Sequence, residues 1–114
     1  MASQSQINEA INSVRNLLNQ TPPETLAIVY RTSLATTMEI VRNPKLKAKA
    51  KEEIDIIDLM AKDNAYNDIA SEFRDKVVKM IDHLKAQPDQ SILKGYLNDI
   101  STGILRVAKG DGGN

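Results

Sequence analysis

All four prolines of the chain, at 22, 23, 44 and 88, fall between stretches whose apolar residues recur every three or four positions. Proline removes a backbone donor and clashes inside a helix but is tolerated in its first turn. Its placement therefore divides the chain into helices and leaves no place for a sheet of alternating residues. The first stretch carries Ile7, Ile11, Val14 and Leu18, widened by Ala10 and Leu17, after a polar leader in which Ser3 or Ser5 serves as cap. Thr21-Pro22-Pro23-Glu24 reads as a capping box, with Thr21 opening the second helix and Pro22 at its first position.

The second stretch carries Leu26, Val29, Tyr30, Leu34, Met38 and Val41, and must end before Pro44. The third, opened by Asn43-Pro44, carries Leu46, Ala50, Ile54, Ile57 and Ala61, flanked by Ile56, Leu59 and Met60. It is apolar over more than half its circumference, which predicts the most central position in the fold. Asp63-Asn64 predicts a break, without which residues 44–86 would form one helix of about 65 Å at 1.5 Å per residue. The fourth stretch carries Tyr66, Ile69, Phe73, Val77, Met80 and Leu84; the fifth starts near Asp89 or Ser91 and carries Leu93, Leu97, Ile100, Ile104 and Val107 until Gly110. Short connections predict that consecutive helices are antiparallel neighbours. The expected fold is all-α, a compact antiparallel bundle of four or five helices. It forms a single domain over 1–110 with a disordered tail at 111–114, and Ile11, Leu34, Ile57, Phe73 and Ile100 share one core.

Composition removes several kinds of chemistry. There is no cysteine, hence no disulfide or thiolate site, and the single histidine, His83, cannot build a multi-histidine metal centre. No apolar run approaches the ~20 residues of a membrane helix and no signal-peptide pattern opens the chain, so a cytoplasmic protein, of a cell or of an infected host, is expected. Fifteen basic residues balance fifteen acidic ones. The balance also holds locally, at three of each sign in 1–43, five in 44–63, four in 64–87 and three in 88–114. That evenness argues against a nucleic-acid binder, which concentrates positive charge on one face or arm. Phosphate loops, calcium loops, nucleophile elbows and zinc signatures are absent from the sequence, so neither a cofactor nor a catalytic residue is assigned.

Five features remain as candidates. Arg42, Lys45, Lys47, Lys49 and Lys51 open the third helix against its dipole. They form either a docking patch for an acidic partner or phosphate, or a solvated face neutralised by Glu52, Glu53, Asp55 and Asp58, with Glu53 and Asp55 four residues after Lys49 and Lys51. Asp68, Glu72 and Asp75 align on the fourth helix, where Arg74, Lys76 and Lys79 are at hand to pair with them. His83 suits the helix C-terminus and lacks the partners of a catalytic base. The hydroxyl-rich run from Tyr30 to Thr37 either bonds back to its own helix or faces a partner. Gly95 and Gly103 are costly inside the fifth helix unless something approaches closely. Either a neighbouring helix of the same chain packs against them or, with Tyr96 and Arg106 as anchors, they mark a partner or homodimer contact.

In length and helical-hairpin organisation the chain is similar to small bacterial immunity proteins and to small helical phage proteins; no residue role follows from that likeness. The expected function is a non-enzymatic protein-binding module: inhibitor, immunity factor, adaptor or assembly subunit. The alternatives are nucleic-acid or anionic-surface binding through Lys45–Lys51, and an enzyme whose site carries no recognised motif.

Overall fold

A computed structural model describes residues 3–110. The chain is all-α: α1 (Gln4–Gln20), α2 (Pro23–Ile40), α3 (Pro44–Lys62), α4 (Tyr66–Lys85) and α5 (Ser91–Ala108), with no strand among the described residues. The tail expected at 111–114 lies outside them.

Contacts gather in two compact units, Met1–Pro22 with Arg74–Asn114, and Pro23–Phe73. In the first, α1 packs closely on α5. Ile7, Ile11, Val14 and Leu18 on α1 are buried, as are Leu93, Leu97, Ile100 and Ile104 on α5 and Val77, Ile81 and Leu84 on α4. Each set repeats every three or four residues, the interval that keeps side chains on one helical face. Expected neighbours differ here: α1 meets α5, remote in sequence. In the second unit α2 and α3 pack together. The three residues between them leave only an antiparallel hairpin. It buries Leu26, Ala27, Val29, Tyr30, Ala50, Ile54 and Ile57. The Tyr30 ring stacks on Phe73, centroids 5.2 Å apart and planes 25° from parallel. Leu34 is only half-buried.

Helix ends show the local chemistry. The Ser3 hydroxyl accepts from the Gln6 amide at 3.2 Å while the Gln6 side chain accepts from the Ser3 amide at 3.0 Å, a reciprocal capping box. Asn43 caps α3 by accepting from the Lys45 amide at 2.9 Å, with Pro44 as first helical residue. The break after α3 is real. Asn64 takes φ 58°, the Ala65 amide donates to Met60 at 2.9 Å and the Asn64 amide to Ala61 at 3.0 Å, closing the helix in a Schellman motif. Gly110, at φ 85°, follows α5 in the same left-handed region.

Three expectations are corrected. Thr21 ends α1 and does not open α2: its hydroxyl and amide both donate to the Leu17 carbonyl, and α2 begins at Pro23. A hydroxyl one turn after a carbonyl at a helix end can bond to its second lone pair, and proline supplies the start of α2 without a side-chain cap. Met80 is exposed and Ile81 is buried in its place. Spacings of three and four after Val77 both suit a helix, and burial chooses the second. Finally, the apolar circumference of α3 is not enclosed as expected. Leu46, Ile56 and Leu59 are exposed, so its broad apolar circumference exceeds what the packed face covers.

Candidate interaction surface

At 100° per residue, Lys45, Lys49, Glu52, Ile56 and Leu59 share an arc of about 80° on α3, turned largely away from the buried Ala50, Ile54 and Ile57. On that arc Ile56 is 49% and Leu59 62% exposed. The basic cluster is divided by the helix. Lys45 and Lys49 lie on the outer arc, Lys47 and Lys51 on a separate side, and Arg42 in the connection before α3; all five are exposed.

Ion pairs distinguish the two ends of α3. Lys51 reaches Asp55 at 3.2 Å. Arg31 on α2 grips Asp58 with two hydrogen bonds, Nε to Oδ1 at 2.8 Å and Nη2 to Oδ2 at 3.2 Å. This fork lowers the Asp58 pKa and raises that of Arg31, the hydrogen bond first and charge attraction with it. The Lys49–Glu53 pair expected from spacing does not form, and no ion pair engages Arg42, Lys45, Lys47 or Lys49 among the described residues. Asp55 and Asp58 are already engaged in the C-terminal half of α3; Lys45, Lys47 and Lys49, in its first two turns, form no ion pair among the described residues.

The α5 candidates divide as well. Gly95 is exposed and nothing lies within 4 Å of where a Cβ would stand, which removes close helix packing as its reason. Gly103 is half-buried and Arg106 exposed. Tyr96 is half-buried, and that burial pushes its hydroxyl pKa up.

The remaining candidates take structural places. Asp75 pairs with Lys79 at 3.3 Å. No group of three His, Cys, Asp or Glu residues able to hold a metal ion occurs among the described residues. Arg74 turns away from the acidic row, its Nε donating to the Leu18 carbonyl at 3.0 Å. Thr37 bonds back to the Ser33 carbonyl at 3.0 Å, and His83 is exposed near the end of α4.

Sequence reasoning missed two features. One is the Arg31–Asp58 fork, between residues 27 apart that carry no shared pattern. The other is an open groove of about 200 Å³ lined by Arg15, Leu18, Asn19, Arg74 and Val78. Neither a family model, a curated protein nor a solved structure matches the chain. No helix among the described residues is long and apolar enough to cross a membrane.

Proposed function

We propose that the chain is a non-enzymatic helical module, working in the cytoplasm, that binds another protein through the outer face of α3. The supporting observation is the pairing of exposed Ile56 and Leu59 with unpartnered Lys45 and Lys49 on one arc. Apolar side chains left in water favour burial against a partner. Unpaired lysines at a helix N-terminus add to the positive end of the helix dipole and favour carboxylates opposite them. The complement is a protein surface that sets acidic beside apolar side chains, as an inhibitor's, immunity factor's or adaptor's target would. Glu52, on the same arc, opposes binding to nucleic acid or to an anionic membrane surface, both of which repel carboxylates.

A photo-crosslinking residue in place of Leu59, expressed in the native host, tests this reading, with the same residue at Thr102 on α5 as control. The expected result is one dominant protein adduct at position 59. Its crosslinked segment combines carboxylates with apolar residues, and the adduct is lost with K45E/K49E. Equal adducts at both positions, an adduct to nucleic acid, or insensitivity to the charge reversal overturns it.

A further inference from the structure

We infer that the groove between the last turns of α1 and the middle of α4 binds a phosphate group. Its lining supplies three residues with N–H donors, Arg15, Asn19 and Arg74, and no acid. Arg15 and Arg74 form no ion pair among the described residues, although Arg74 is half-buried, where an arginine ordinarily has a carboxylate partner.

The bond from Arg74 Nε to the Leu18 carbonyl at 3.0 Å fixes the plane of the guanidinium. Its two terminal nitrogens remain for a second acceptor, and a held fork of this kind suits the oxygens of an oxyanion. The carbonyl at the end of α1 offers only partial negative charge, so the two arginines keep most of their positive charge. Two guanidiniums facing one groove match a phosphate monoester, which carries about −1.5 to −2 at neutral pH, better than a singly charged carboxylate. Leu18 and Val78 line the same groove and give the ester's carbon atoms an apolar wall. About 200 Å³ accommodates a phosphate with a short substituent. The group is carried either by a free small molecule or by a phosphorylated side chain, and the chemistry of recognition is the same.

The test is an NMR titration of the full ¹⁵N-labelled chain with inorganic phosphate and with a short phosphoserine peptide, against sodium chloride at matched ionic strength. The expected result is a saturable shift of amides in 15–19 and 74–78 with either phosphate and none with chloride. Tighter binding of the peptide identifies a side-chain phosphate as the source, and equal binding a free one. Arg15 is exposed and makes no bond that holds the fold, so R15Q should fold and weaken binding about tenfold, the loss of one charge-assisted interaction. R74K keeps the charge but loses the fork, and should weaken binding as well. Shifts that do not saturate, shifts that gather on 45–51, or an R15Q titration superimposable on the wild type overturns the inference.

Discussion

Helices α1 and α5 and the hairpin α2–α3 use similar apolar content in different ways. On α1 no large apolar side chain is exposed, and on α5 Leu93, Leu97, Ile100 and Ile104 are buried while Ile92 and Leu105 are not. The hairpin leaves Ile28, Ile40, Leu46, Ile56 and Leu59 in solvent, a surplus beyond what its packed face takes up. Single exposed apolar residues are ordinary on protein surfaces. Ile56 and Leu59, three apart on one helix and in line with unpaired lysines, are not scattered singly. The difference shows that an apolar residue in a periodic stripe reports core only where a neighbouring element arrives to cover it.

The largest effect expected from this contrast is at Leu97. Leu97→Ala should cost ~2–5 kcal/mol in urea unfolding, the transfer and cavity terms of a fully enclosed leucine. A loss below ~1 kcal/mol would mean that α5 packs loosely and would erase the contrast with the hairpin.

Gly95 gives a smaller effect of opposite sign. Open space around it leaves only the entropic cost of glycine in a helix, so Gly95→Ala should stabilise by about 0.5–1 kcal/mol. Destabilisation in the same melts would reveal an approach to position 95 that occurs only in an assembly, restoring the homodimer reading of α5.

Within the hairpin, a double-mutant cycle on Arg31 and Asp58 should give a coupling of about 0.5–1 kcal/mol that shrinks with added salt, since both side chains are roughly half exposed. Its pH dependence has a definite sign. Asp58 titrates lower when folded than its ordinary 3.8, so the coupling is complete above that value and is lost as the pH falls through the lowered folded pKa. Arg31 stays charged throughout. A coupling that persists in acid would show that the fork is not an ion pair.

The smallest effect belongs to the outer arc. Leu59→Ser should change stability by less than ~0.5 kcal/mol, because the leucine is largely exposed in the folded chain. A cost near that of Leu97→Ala would place Leu59 in a packed environment and remove the surface proposed for partner binding.

Much of this molecule follows from short-range pattern. Periodic apolar residues, proline in the first turn, asparagine as cap or left-handed stop, and glycine after the last turn define five helices, because each acts within about one turn of its own position. Ser3, Asn43, Asn64 and Gly110 all stand where such reasoning puts them. Thr21 does not, since a hydroxyl between two helices can satisfy a carbonyl behind it or an amide ahead, and both lie within reach. The candidate surfaces were legible only as residue types. The sequence clusters five basic residues, but helical rotation puts Lys45 and Lys49 on the same arc as Ile56 and Leu59 and sends Lys47 and Lys51 elsewhere.

What the chain determined by itself is therefore the identity of its helices and most of their ends, the junction at Thr21 excepted. Tertiary structure alone decided which stripe positions are covered, that Met80 gives way to Ile81, that Arg31 finds Asp58, and that Arg74 leaves its acidic neighbours for the Leu18 carbonyl. Helix formation is governed by interactions three and four residues apart, whereas burial and the pairing of long charged side chains depend on which distant element comes to lie alongside.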